Sequence, residues 1–168
     1  MSAFRIALLF GGPSAERGIS LNSARSVVDH LDDFEVIPIY YNLQKQPYLI
    51  DRKHVYSNTP SDFDFKIEQL GKPLPENQLV ELLKTASITF PVIHGAFGEG
   101  GELSEFLEKN NIPFIGSSSK SAAIAFDKFD AAWFLERKGY HSPPSLLLED
   151  TDKEANLARI ESFFQNNE

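Results

Sequence analysis

Arg5 to Phe10 is apolar after its arginine and closes on Gly11-Gly12-Pro13, which predicts a strand buried on both faces. After a polar loop, Leu21, Ala24, Val27, Val28 and Leu31 recur on one helical stripe, with Ser20 placed to cap it. Phe34 to Tyr41 predicts the next strand. Strand, helix and strand at this spacing make a βαβ unit, whose crossover is almost always right-handed.

The stretch from Asn42 to Pro75 is irregular, and short peripheral strands or a hairpin are expected over Gln46–Ile50 and Asp64–Leu70. Leu79, Leu82 and Leu83 predict a helix over Glu76–Lys84. A further strand is expected over Ser87–Ile93, then a helix through Leu103, Phe106 and Leu107, and a strand over Ile112–Gly116. Beyond Ser117-Ser118-Ser119 the pattern predicts one long helix through Ala122, Phe126, Phe129 and Trp133, stopping near Gly139. A strand over Ser145–Leu148 and a helix over about Lys153–Phe164 follow. The expected fold class is α/β, a mainly parallel sheet flanked by helices in a Rossmann-like domain over residues 1–117. Residues 118–168 open a second domain.

Composition narrows the chemistry. The net charge of -8 argues against nonspecific binding to nucleic acid or anionic membranes, which requires a basic surface. With no cysteine, thiol catalysis, disulfides and cysteine-ligated metal are excluded. The short apolar run at the amino terminus has no basic flank and is ended early by Gly11, Gly12 and Pro13, so a buried strand is expected there. No stretch approaches the length of a membrane span, and a cytoplasmic protein is expected.

In an open parallel sheet, ligands bind beyond the carboxyl ends of the strands. Two loops leave such ends: Gly11–Ser20 (GGPSAERGIS) and His94–Gly101 (HGAFGEGG). Neither has dinucleotide or Walker spacing. Glu16 has the charge to hold a substrate ammonium group, or it is a solvated carboxylate at a helix start, where it suits the dipole. His94 ends an apolar strand and is either a ligand-facing group or a packed histidine. Gly98, Gly100 and Gly101 either let N–H groups approach an anion or serve a tight strand-to-helix turn. Lys128 reads, on pattern alone, as a solvated lysine between Asp127 and Asp130. No histidine or carboxylate cluster has metal-ligand spacing.

Taken together, Gly11-Gly12, Ser14-Ala15-Glu16, Ser20-Leu21, His94-Gly95, Gly98-Glu99, Gly116-Ser117 and Asp127-Lys128 resemble, in order, the motifs of the D-alanine–D-alanine ligase family of the ATP-grasp superfamily. The resemblance implies the amino-terminal domain and the beginning of the central domain of such a ligase. It implies that Glu16 orients the first D-alanine through its ammonium group as a substrate-binding and catalytic residue. His94 and Gly95 belong to the same pocket, Ile19 lines it, and Lys128 contacts ATP. It further implies ATP and Mg²⁺ bound mainly by parts of the enzyme absent from this chain, a homodimer formed through the amino-terminal domain, and a role in peptidoglycan precursor synthesis.

The family commonly carries an acidic residue where Gly100 stands, and threonine, glutamine and glycine where Glu102, Ser104 and Glu105 stand. Gly18 and Ser118 also replace an acidic residue and a glycine. A ligase with another amino-acid substrate, or a non-catalytic dimerisation or binding module, are the alternatives. On length, the chain is expected to be an expressed fragment or a truncated product, inactive alone.

Overall fold

The computed structural model describes residues 4–148 and 152–166. Its centre is a five-stranded sheet in the order β4-β3-β2-β1-β5. β1 (Arg5–Gly11) lies between β2 (Glu35–Tyr41) and β5 (Ile88–Pro91), parallel to both. β3 (Pro47–Ile50) and β4 (Gly71–Pro73) extend the β2 side as antiparallel strands. The middle of the sheet is thus parallel, as the βαβ pattern predicts, with an antiparallel edge built from the irregular stretch.

The continuous apolar run of β1 is explained by what covers it. Ala7 and Leu9 face one core, with Ile37, Ile39 and Tyr41 from β2. Helices α4 (Glu76–Lys84) and α6 (Glu102–Lys109) close that face with Leu79, Leu83, Leu103 and Leu107. Leu8 and Phe10 face a second core with Tyr40, under α1 (Arg17–Asp29), α2 (Arg52–Ser57) and α3 (Pro60–Leu70). Each fully buried leucine contributes about 2 kcal/mol by leaving water.

Several sequence expectations are corrected. Asp64–Leu70 is helical, not a strand. Thr59 and Asp62 form a reciprocal capping box with Pro60 in the first turn, so a strong start signal wins over weak periodicity. Ser20 lies inside α1, not at its cap; the helix begins after Glu16, and Ser20 is fully buried. Ile112–Gly116 makes only one parallel bridge, Thr89 with Phe114, and is too short a pairing to count as a strand.

The chain divides into two compact units after Ala123. The expected long helix is two: α7 (Ser119–Phe126) and α8 (Lys128–Arg137). Asp127 separates them, its carboxylate accepting the N–H groups of Phe129 and Asp130 as a new N-cap. Gly139 ends α8 at φ 84. Residues 145–148 form no strand, and α9 (Lys153–Asn166) covers the last predicted helix. No described residue of α7, α8 or α9 is buried.

Candidate functional site

The site is built where β1 and β5 end. The backbone turns at Gly11 and Gly12, both at positive φ, and Ser14, Ala15 and Glu16 lead into α1. Ser20 fixes this turn. Its hydroxyl accepts the Gly11 N–H at 2.8 Å and donates to the Val92 carbonyl at 2.7 Å. One buried side chain therefore holds the start of α1 against the ends of both strands, satisfying two backbone groups that no strand pairs.

The second loop leaves β5 through Val92, Ile93 and His94. His94 is half-buried, with Nε2 3.3 Å from the Ser23 hydroxyl on α1 and Nδ1 3.5 Å from a Glu99 oxygen. The other Glu99 oxygen accepts the Gly95 N–H at 2.6 Å. Glu99 closes the short helix α5 (Ala96–Glu99), so it holds both residues of the His94-Gly95 pair.

Gly95 is where the two loops meet. Its φ is 83, and a Cβ there would lie 2.7 Å from the Ser14 hydroxyl and 3.6 Å from a Glu16 carboxylate oxygen. Only a residue without a side chain, at ease with positive φ, lets the histidine loop seat on the Glu16 loop. Glu16 is exposed, and its carboxylate has one long side-chain approach, the Ser14 hydroxyl at 3.5 Å. Among the described residues no cation pairs with it. Ile19, on the first turn of α1, is 54% exposed. An unpaired carboxylate against the loop that carries His94 suits a small molecule bearing an ammonium group.

The other glycines of the second loop serve packing. A Cβ on Gly98 would collide with the Ile93 carbonyl, and one on Gly101 would lie 2.5 Å from the Ser119 carbonyl. At the start of α6, Glu102 takes the Lys45 ammonium at 2.6 Å. A carboxylate paired with a lysine occupies the helix start, and the tight-turn reading of these glycines is the one supported.

The match that decides the family covers residues 5–117 and is described as the D-ala D-ala ligase N-terminus. The chain belongs to this family. It is similar to D-alanine–D-alanine ligase A of Salmonella typhimurium, with 30% identity over 96% of this chain and 48% of the relative. The ligase of Oceanobacillus iheyensis is 33% identical over 90% of this chain and 45% of its own length. Among solved structures, the D-alanine-D-alanine ligase from Coxiella burnetii superposes with a TM-score of 0.78 at 26% identity, covering 94% of this chain and 49% of that one. The D-Ala:D-Ser ligase from Enterococcus faecalis gives 0.75 at 26% identity, over 96% and 49%. The expected α/β fold of an ATP-grasp ligase is met. The chain spans about half the length of the curated relatives it matches.

Among the residues singled out from sequence, Glu16, Ile19, His94 and Gly95 come together at one end of the sheet. Lys128 is the first residue of α8, exposed, and belongs to the second unit. Sequence reasoning missed Ser14, Ser23 and Glu99 as partners. The Ser14-x-Glu16 spacing was the available signal, since a serine two residues before a backbone N–H commonly caps it, as it does here at 3.0 Å. Among the described residues no cluster of three or more histidine or acidic side chains forms a metal site, and no helix is long and apolar enough to cross a membrane.

Proposed function

We propose that this chain is the amino-acid-holding part of an ATP-dependent D-alanine–D-alanine ligase, a carboxylate–amine ligase that makes D-Ala-D-Ala for peptidoglycan and cell-wall biogenesis. Glu16 accepts the ammonium group of the first D-alanine, His94 and Gly95 frame its carboxyl end, and Ile19 lines the pocket. The observation that carries this is the seating of Gly95 on Ser14, which sets an unpaired Glu16 carboxylate beside the histidine loop. The carboxylate of the first amino acid would take the γ-phosphoryl group of ATP with release of ADP, and the amine of the second would then displace phosphate from the acyl phosphate. What these residues contribute is orientation of a poor electrophile before attack.

Lys128 is the residue we carry over toward ATP. For Mg²⁺ the described residues offer no fitting set of oxygen donors. We place the amino-acid-holding domain at residues 1–117 and the opening of the ATP-grasp central domain at 118–168, with a homodimer formed through the former. The protein acts in the cytoplasm.

A second reading, a ligase joining D-alanine to a different amino acid, is favoured by the substituted loop at Gly100, Glu102 and Glu105 and by likeness to a D-Ala:D-Ser ligase. The test is an assay of ATP consumption and dipeptide formation by the complete gene product, with D-alanine and a panel of other amino acids. Turnover with D-alanine as the sole amino acid supports the D-alanine–D-alanine ligase. Turnover of a mixed pair supports the second reading, and a folded protein inert to the whole panel sinks both. Glu16→Gln is expected to raise KM for the first amino acid about tenfold, the loss of one charge-assisted contact, with ATP binding unchanged.

A further inference from the structure

Glu16 is held in place indirectly. Among the described residues its one side-chain hydrogen-bond approach, at 3.5 Å, is at the limit of a hydrogen bond, so the direction of its carboxylate depends on where the first turn of α1 sits. That turn is held by two contacts. Ser20 fastens it to the strand ends, as described. Arg17, the residue after Glu16, donates from Nη2 to Asp64 Oδ2 on α3 at 2.7 Å. The two side chains are only 25% and 22% exposed, so water competes with this pair less than with a surface ion pair.

Asp64 is itself anchored. Its neighbour Phe63 is fully buried and stacks on Tyr40 at 4.2 Å between ring centroids. The Tyr40 ring in turn fills the space where a Gly11 Cβ would stand, 2.5 Å away. Pro60, at the start of α3, approaches Gly18, 3.5 Å from a Cβ built there. The same residues thus reach Gly11, Arg17 and Gly18 around Glu16. Arg17 Nε and the Tyr40 hydroxyl are buried without partners among the described residues, so the guanidinium sits in a nook where Asp64 is its one recorded counter-charge. Burial, with the Asp64 charge next, pushes the Tyr40 phenol up to about 12, which keeps it neutral there.

We propose that Arg17 and Asp64 are a positioning pair that sets the direction of the Glu16 carboxylate, making α3 a support of the amino-acid site. This rests on the reading of Glu16 as the ammonium-holding residue. It assigns a purpose to a helix the sequence pattern left without one.

The test compares Arg17→Met, Arg17→Lys and Arg25→Met with the unaltered protein. Arg25 also ties α1 to the chain below, through the Val55 and Asn58 carbonyls, but two turns from Glu16. By amide relaxation on the full chain, Arg17→Met is expected to loosen residues 14–18, while Arg17→Lys and Arg25→Met leave them ordered. Lysine suffices because the contact is through one nitrogen. In the complete gene product, Arg17→Met is expected to raise KM for the first amino acid about tenfold, with KM for ATP unchanged and most of the loss recovered by Arg17→Lys. Unchanged order in Arg17→Met, an equal loss in Arg25→Met, or loosening with KM unaltered would each overturn the proposal. An unaltered protein without turnover, in which Arg17→Met still loosens residues 14–18, would instead sink the ligase reading while upholding the pair.

Discussion

The two loops at the end of the sheet reach their shapes by different means. The Glu16 loop is fixed from outside: Ser20 on the helix it opens, and Arg17 to another helix, hold it at both ends. The His94 loop is fixed from within, by Glu99 four residues on and by glycines pressed against its own backbone. The first loop therefore offers its carboxylate free, whereas the second uses its carboxylate as a brace. Two acidic residues in similar settings do opposite work because only one finds N–H and imidazole partners in its own turn.

This difference orders the expected effects. Gly98→Ala should cost the most, about 3 kcal/mol by chemical denaturation, because the new methyl meets the Ile93 carbonyl and backbone must move. Ser20→Ala should cost about 2 kcal/mol in the same measurement, leaving the Gly11 N–H and Val92 carbonyl buried and unpaired. If Ser20→Ala proved neutral, the external fixing of the first loop would be wrong. Glu99→Ala should cost about 1 kcal/mol, and amide exchange at Gly95 should quicken while that at Gly11 does not. Exchange rising equally at both would mean the loops are one unit.

The smallest effect is an acid one. The Thr59 N–H, then Lys66 and the Thr59 hydroxyl, hold the Asp62 carboxyl well below its usual 3.8. A depressed pKa means the capping box contributes fully above pH about 4 and is lost as pH falls through the folded value. Amide exchange at the start of α3 should accelerate only below pH 4, and Asp62→Asn should remove that dependence. Since α3 bears Asp64, loosening of residues 14–18 over the same pH range would extend the external fixing of the first loop to this cap.

The sequence made β1, α1, β2, α4 and the location of both loops legible, because their apolar periods are long and their glycine signals strong. It misled at Asp64–Leu70, where the capping box at Thr59-Pro60-Ser61-Asp62 lay just before the stretch being read. It also misled at Ser20: a serine before an apolar stripe looks like a cap, yet this one is spent on two strands 9 and 72 residues away. Glu16, Ile19, His94 and Gly95 were singled out by resemblance and by their places in the loops at strand ends. Glu99 and Ser23 were not, since nothing local marks them as partners, and Ser14 carried only the weak signal of its spacing to Glu16.

The sequence by itself determined the central βαβ unit and which of its positions bury, because strand and helix periods are local and the two cores of this sheet follow from alternation along β1 and β2. It also determined the family, through ordered motifs that survive at about 30% identity. Tertiary structure alone decided which side chains hold the site. The contacts of Ser20 with Val92, Arg17 with Asp64, and Gly95 with Ser14 join residues far apart in the chain. Such contacts leave no period to read, since they arise only when separate elements are packed to the distance of a hydrogen bond.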